Sequence, residues 1–391
     1  MQQGLKRSRQ EFLVFGSPLI GEEEIAEVVA TLRSGWIGTG SRVQQFESMM
    51  AEYTGAKHAI AVSSCTAALH LSLVALGIGA GDEVITTPMT FAATANAIVH
   101  AGARPVFADV NRDTMLIEPE NIEAAITPRT KAILPVHLTG RLCPMDEIST
   151  IGRKHGLFVI EDAAHCIEGS YHGRKVGSIS DMTCFSFYVT KNLTTGEGGM
   201  VTTENPQWAE KLRILALHGM DVHAFNRFGG EGYRHYQVME AGFKYNMTDL
   251  QAALGIPQLN RIEPSWERRN AIWSRYQRAF AGLPLHCPAI DEPGTRHARH
   301  LYTILAHKAE CGKSRDELLE YFTRHNIGTG VHYAPVHLHP YYRKAFGYTK
   351  GDYPNAEWIG NATMSLPLSA KLQEEDVQDV IAVLRQALGE E

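Results

Sequence analysis

Lys191 ends an apolar run in Ser186-Phe-Tyr-Val-Thr-Lys191-Asn-Leu-Thr-Thr-Gly-Glu-Gly-Gly199. A lysine whose ammonium is disfavoured by burial, or by a nearby cation, holds a free amine. Such an amine forms an imine with an aldehyde and then carries protons. The glycines that follow let backbone approach a bound group closely. A lysine after a strand is otherwise a solvated one, and only the surrounding run argues for chemistry. Upstream, Val159-Ile-Glu-Asp162-Ala-Ala-His165 ends another apolar run on a carboxylate. Such an Asp either caps a helix or faces a cationic heterocycle, whose nitrogen it keeps protonated so that the ring draws electrons. His165 can stack on that ring or sit satisfied in a core.

Two further junctions could hold parts of the same ligand. Val62-Ser-Ser-Cys-Thr-Ala-Ala-Leu69 passes from a strand to a helix through Ser64, Cys65 and Thr66. Backbone N–H groups and the dipole at a helix start suit a phosphate, and an ordinary Ser/Thr cap has the same composition. A G-x-x-x-x-G-K-[ST] run is lacking, which disfavours a nucleoside-triphosphate loop. Phe91, in Thr87-Pro-Met-Thr-Phe91, can stack on a flat ring or belong to the core.

The elements that must position these residues alternate. Short β-branched runs at His58–Val62, Glu83–Thr87, Pro105–Asp109, Ala132–Val136 and Leu157–Glu161 predict strands. Helical spacing falls near 66–76, 92–101, 119–126 and 144–155, after two earlier helices at Glu22–Arg33 and Val43–Tyr53. This alternation predicts right-handed βαβ units and a mainly parallel sheet, to which Met182–Phe187 and Gly199–Thr203 add strands. Ligands of such sheets lie beyond the carboxyl ends of the strands, where the residues above fall. After Pro206 come a helix (206–217), a Gly-, His- and Tyr-rich loop (218–246) and one long helical run from Thr248 to about Phe280. A smaller α/β unit then reads strand (300–306), helix (314–325), strand (328–333), loop, helix (373–387). The expected division is a large domain, residues 1–260, and a small C-terminal domain, residues 261–391.

Composition narrows the class. The 391 residues are 44% hydrophobic and 20% charged, with a net charge of −6. No basic excess argues for nucleic acid, and no apolar stretch approaches membrane-spanning length, so neither partner is expected. Lys6, Arg7 and Arg9 precede no apolar run and do not make a signal peptide. The six cysteines are scattered without a C-x-x-C pair, which suits free thiols in the cytoplasm and no metal site. Asn192, Asn246 and Asn361 sit in N-x-[ST] triplets, which arise often by chance.

Taken together, Gly35-Trp-Ile-Gly-Thr-Gly40, Ser63-Ser-Cys-Thr-Ala, Thr87-Pro-Met-Thr-Phe, Glu161-Asp-Ala-Ala-His, Phe185-Ser-Phe…Lys191…Thr195-Gly-Glu-Gly-Gly, Gly242-Phe-Lys-Tyr-Asn-Met-Thr-Asp249 and Val331-His-Tyr…His337 form an ordered series. It resembles the DegT/DnrJ/EryC1/StrS family of sugar aminotransferases, in register over roughly residues 15–385. The resemblance implies an α/β enzyme of the pyridoxal-phosphate (PLP) fold type I, with a mainly parallel central sheet flanked by helices and a smaller C-terminal α/β domain. It also implies a homodimer with shared active sites. By the same resemblance Lys191 is the Schiff-base lysine and Asp162 pairs with the pyridine nitrogen. Phe91 stacks on the ring, and His165 lies beside it. Cys65, Thr66 and Ser186 contact the phosphate, which Asn246 reaches from the other subunit. Trp36, Tyr188, His332, Tyr333 and His337 fall where the sugar nucleotide is met.

Within the family the likeness is greatest to the aminotransferase that makes UDP-4-amino-4-deoxy-L-arabinose, a lipopolysaccharide amino sugar. Shared stretches include residues 77–86 and Glu123-Ala-Ala-Ile-Thr-Pro128. Cys65, Phe91 and Tyr188 depart from that subgroup, which has Ala or Gly, Trp and His there. The expected reaction moves an amino group from L-glutamate to a nucleotide-linked keto sugar, a UDP-4-keto sugar aminated at C4, by a ping-pong course through pyridoxamine phosphate. The alternatives are a GDP- or dTDP-linked 3- or 4-keto-6-deoxy sugar, a PLP-dependent sugar dehydratase, or a non-catalytic PLP-binding regulatory protein. Lys191 and the lack of iron–sulfur cysteine spacing speak against the dehydratase. The complete Asp–Lys pair speaks against the regulator. A nicotinamide dehydrogenase is disfavoured because no G-x-G-x-x-G follows the first strand.

Overall fold

A computed structural model describes residues 9–221 and 235–389. The first helix, Glu22–Ser34, stops where Gly35 takes a left-handed conformation (φ 74°), and the second, Ser41–Thr54, stops in the same way at Gly55 (φ 75°). Seven strands then build the main sheet: β1 (His58–Val62), β2 (Glu83–Thr86), β3 (Arg104–Phe107), β4 (Thr130–Leu134), β5 (Phe158–Asp162), β8 (Met182–Ser186) and β9 (Gly199–Thr203). Their order is β1-β9-β8-β5-β4-β2-β3. β2 and β9 are buried along their whole length. That explains why they read as unbroken apolar and Thr-rich runs and not as alternating ones.

The pairings β8–β5, β5–β4, β4–β2 and β2–β3 are parallel, whereas β9 is antiparallel to both β8 and β1. Six strands therefore point the same way, and only β9 returns. The carboxyl ends of β1, β2, β5 and β8 open at one edge, and β9 starts there. Helices Cys65–Ala75, Ala92–His100, Pro119–Ala124, Met145–His155 and Pro206–Ala216 connect or flank the strands. A short hairpin, β6 (Ser170–Tyr171) with β7 (Arg174–Lys175), is joined by β10 (Thr295–Arg296).

Thr248 caps the next helix, Asp249–Asn260, through a capping box with Gln251. The single helical run expected from Thr248 to Phe280 is broken at Arg261, and a second helix covers Ile262–Phe280. Pro264 accounts for the break, since it has no N–H to return to the Asn260 carbonyl. The helix Ile262–Phe280 buries Ile272, Trp273, Tyr276 and Phe280 in a separate apolar cluster with Tyr302, Phe322, Val380 and Leu384. In that unit β11 (Tyr302–Leu305) pairs antiparallel with β12 (Thr363–Leu366), and helices Arg315–Arg324 and Glu374–Ala387 pack beside them.

The strand expected at 328–333 does not form. Ile327 pairs singly with Leu13 and Gly330 singly with Ser365, so this segment has a partner only at isolated points. The segment expected to be loop instead supplies helices Pro340–Phe346 and Pro354–Ala362 and strand β12. Part of the loop expected at 218–246 lies outside the described residues. No helix among the described residues is long and apolar enough to cross a membrane. The six cysteines are unbonded, and among the described residues no His/Cys/Asp/Glu group could hold a metal ion.

Candidate active site

At the carboxyl edge of the main sheet lies a cavity of about 610 Å³. Its walls include Lys191, Asp162, Ser64, Cys65, Thr66 and Ser186, with Phe91, His165, Tyr188, His332 and Tyr333 around them. Four strand ends thus deliver the residues singled out by their chemistry to one place. Three expected residues, Asn246, Trp36 and His337, lie elsewhere.

Asp162 is the last residue of β5 and is buried. Its Oδ2 accepts a hydrogen bond from Thr94 Oγ1 at 2.8 Å, and its Oδ1 accepts from the Ala164 N–H at 3.1 Å. Burial raises its pKa above the ordinary carboxylate value, and those two hydrogen bonds and Lys191 pull it only partly back. A cationic ring N–H beside the carboxylate would supply the missing counter-charge.

Lys191 is reached from β8 through a tight turn, in which its N–H donates to the Tyr188 carbonyl at 2.9 Å. Burial lowers its ammonium pKa to about 8, against the smaller pull of Cys65 and Asp162. A neutral amine is therefore accessible near physiological pH, as attack on an aldehyde requires.

The helix Cys65–Ala75 starts inside the cavity. Ser64 is its N-cap, and Ser64 Oγ accepts from the Ala67 N–H at 3.1 Å. The cap and the phosphate-type junction are therefore the same structure, with the neighbouring N–H groups directed at the cavity. Gly199, the first residue of β9, comes so close that a Cβ there would lie 2.4–2.6 Å from the Ser64 and Cys65 backbone. Only glycine permits that approach.

Phe91 is 60% exposed at the cavity wall, with its ring 5.7 Å from that of Tyr333. His165 is buried, and its Nδ1 accepts from the Thr139 N–H at 3.2 Å. Its Nε2 therefore carries the proton and donates to Tyr333 Oη at 3.3 Å. His332 shares a hydrogen bond with Ser365 Oγ at 2.8 Å, and burial and Lys191 hold its pKa down at about 3. His165, His332 and Tyr333 thus face Lys191 as neutral groups.

Asn246 and Trp36 line a second, open hollow of about 890 Å³. Asn246 Nδ2 donates to Thr39 Oγ1 at 2.6 Å, and Trp36 Nε1 donates to the Thr39 carbonyl at 3.0 Å. His337 corrects the expectation of a sugar contact. It is fully buried, with Nε2 3.0 Å from Glu357 Oε1 and its ring against Tyr353. Its position two residues past Pro335, in a helical turn, carries it into the core.

Among the cavity residues that the sequence reading did not single out are Phe15, Thr94 and His300. Thr94 lies one helical turn after Phe91, on the face that meets β5, so its role follows once the helix is laid on the sheet. Phe15 and His300 come from distant parts of the chain, and no local pattern marks them.

As a whole the cavity can hold a flat, phosphorylated aromatic aldehyde with a basic ring nitrogen. Asp162 would meet the nitrogen, Lys191 the aldehyde and the Ser64–Thr66 junction the phosphate. Comparison with known proteins agrees with this geometry. The pattern of the DegT/DnrJ/EryC1/StrS aminotransferase family matches residues 18–385. The spore coat polysaccharide biosynthesis protein SpsC of Bacillus subtilis is 52% identical over 381 residues, covering 97% of this chain and 98% of that protein. Spr1654 of Streptococcus pneumoniae, assigned as a sugar aminotransferase, has been solved in PLP and PMP forms. Both superpose with a TM-score of 0.89 at 34% identity and cover 97% of this chain, with 99% of the PLP-form chain and 98% of the PMP-form chain covered.

Proposed function

The chain belongs to the DegT/DnrJ/EryC1/StrS aminotransferase family, and on that premise we propose that it moves an amino group from L-glutamate to a nucleotide-linked keto sugar. It is a transaminase, and its cofactor is pyridoxal phosphate, with pyridoxamine phosphate as the aminated form. The observation that carries the reading is the meeting of Lys191, Asp162 and the helix start at Ser64 in one cavity.

When bound, the cofactor supplies a carbonyl carbon for the donor's amine and a ring that stabilises the electron pair left by a lost proton. This chain's residues do the rest. The Asp162 carboxylate would keep the ring nitrogen protonated. The Ser64–Thr66 N–H groups and Ser186 would hold the phosphate, and Phe91 would lie against the ring. Lys191 Nζ, neutral above about pH 8, takes the proton from the donor's Cα and returns one to the sugar carbon that receives nitrogen. Tyr333 Oη, accepting from His165, keeps its own O–H free to donate to substrate. Tyr188, at the mouth, and His332 flank the sugar.

The acceptor we favour is a UDP-4-keto sugar aminated at C4, serving a surface polysaccharide such as lipopolysaccharide. The likeness to a spore coat polysaccharide protein supports a polysaccharide role. We also read the enzyme as a cytoplasmic homodimer with domains at 1–260 and 261–391. The exposed apolar side chains Ile25, Leu32, Trp36 and Ile37, of which Trp36 lines the hollow that holds Asn246, support a partner subunit there. Purified enzyme with glutamate should aminate a UDP-4-keto sugar in preference to GDP- and dTDP-linked ones. Turnover confined to a GDP or dTDP sugar would overturn the UDP assignment, and no turnover on any keto sugar would overturn the wider reading.

A further inference from the structure

Asn192, the residue after Lys191, has both ends of its amide engaged. Nδ2 donates to Glu168 Oε2 at 2.7 Å and to the Ala298 carbonyl at 3.0 Å. Both partners are acceptors only, so Nδ2 must face them and Oδ1 must face away. Oδ1 lies 2.9 Å from His300 Nδ1. An amide oxygen donates nothing, so His300 Nδ1 carries the proton. Behind Asn192, Glu168 Oε1 accepts from Arg269 Nη2, and Arg269 Nε donates to the Arg299 carbonyl at 3.1 Å. Glu168, Arg269 and His300 are all buried. Arg269 belongs to the helix Ile262–Phe280, while Ala298, Arg299 and His300 lead into β11. The loop bearing Lys191 is therefore tied to the C-terminal unit by a continuous polar brace.

We infer that His300 is a positioning residue for Lys191: its Nδ1–H, acting through Asn192, fixes the backbone from which Lys191 enters the cavity. The inference rests on the reading of Lys191 as the cofactor lysine. A narrow cleft of about 40 Å³, lined by Lys191, Asn192, Gln258, Arg261 and Arg269 among others, backs onto this turn. If the brace is cut, Asn192 Oδ1 loses its buried donor, the turn relaxes toward the cleft, and water reaches the amine from behind. The titratable groups around Lys191 are Asp162 from β5, Cys65 from the helix start, His165, His300, His332 and Tyr333, with Glu197 also on the cavity wall. Of these only His300 is hydrogen-bonded to the residue next to Lys191.

The test is the pH dependence of cofactor uptake by the full-length apoenzyme, measured as pyridoxal phosphate trapped on the protein by borohydride. Uptake requires the neutral amine, so its midpoint reports the Lys191 titration. Wild type should be half-maximal near pH 8. His300→Leu and Asn192→Leu should shift the midpoint up by about one pH unit, towards an ordinary lysine. His300→Asn, whose amide can place a donor where Nδ1 stood, should stay near wild type. A midpoint unmoved in both leucine variants would overturn the brace, even with a lowered melting temperature. So would a His300→Asn shift as large as that of His300→Leu. If His300→Leu does not fold, Asn192→Leu decides. Trapping must vanish in Lys191→Ala, and trapping that survives there would overturn the reading of Lys191 itself.

Discussion

Thr94 Oγ1 donates to Asp162 Oδ2 at 2.8 Å, joining the helix after β2 to the end of β5 at the floor of the cavity. Thr90 Oγ1 lies 2.8 Å from Thr94 Oγ1. Because Thr94 spends its proton on a carboxylate, Thr90 must donate to Thr94, and the chain runs one way, ending on Asp162. The carboxylate is thereby oriented with one oxygen committed to Thr94 and the other to the Ala164 N–H. The second lone pairs remain for a cation.

Asp162→Asn should therefore keep the fold and lose the charge. Cofactor affinity is expected to fall about tenfold to a hundredfold, the usual worth of a hydrogen bond to a charged group. Turnover should fall with it, because an unprotonated ring is a poor electron sink. Equilibrium titration of the apo variant with pyridoxal phosphate measures the first effect. Unchanged affinity would mean that Asp162 does not face the ring nitrogen.

Lys191 also makes stability depend on pH. Its pKa is about 8 in the folded apo chain and 10.5 as an ordinary lysine. Between those values the unfolded chain binds one more proton than the folded one, so stability rises as pH increases through this window. The gain is on the order of 3 kcal/mol. Denaturation of wild type and Lys191→Met apoenzyme at pH 7.5 and 10, values spanning about this window, should show the gain in wild type only. Equal slopes in both would remove Lys191 as its source.

His337 is predicted to matter for stability alone. Its buried ring holds Glu357, which also accepts from the Gly351 N–H at 2.6 Å. His337→Ala should cost about 1–3 kcal/mol by leaving a buried acceptor short of a partner. The KM for sugar should not move. A raised KM at unchanged stability would return His337 to the substrate site.

Asn246 and Trp36 lie outside the cavity of their own chain, which is expected if they serve a partner's site. Mixing Lys191→Ala with Asn246→Asp chains tests this. The second variant sets a carboxylate against the cofactor phosphate. Each homodimer should be inactive, whereas random mixed dimers hold one intact site and should recover about a quarter of wild-type activity. A mixture no more active than its components would argue for self-contained subunits.

The main sheet was legible because each inner strand is a short, largely buried run between turn residues. β1 and β9 fall where the residue pattern puts them. The C-terminal unit was less so. β12 reads Thr-Met-Ser-Leu, too short to announce itself, and exists through its pairing with β11. The break at Arg261 was encoded by Pro264 but hidden inside a long amphipathic pattern. In the site, Lys191, Asp162 and Ser64–Thr66 drew notice because each lies at or just past the end of a strand of the same sheet. His300 could not, since its meaning arises only from Asn192, over a hundred residues away. His337 was carried over by its place in a motif, and motif position says nothing about which way a helical turn faces.

The central claim is that Lys191 Nζ is the amine and the proton carrier of the reaction. The most direct measurement is single-turnover conversion of a keto sugar by Lys191→Ala supplied with pyridoxamine phosphate and glutamate, beside wild type. The account predicts no visible band from lysine-bound cofactor and a rate lower by about 10²–10⁴-fold, the range for loss of a positioned acid–base group. A Lys191→Ala enzyme turning over at the wild-type rate would contradict it.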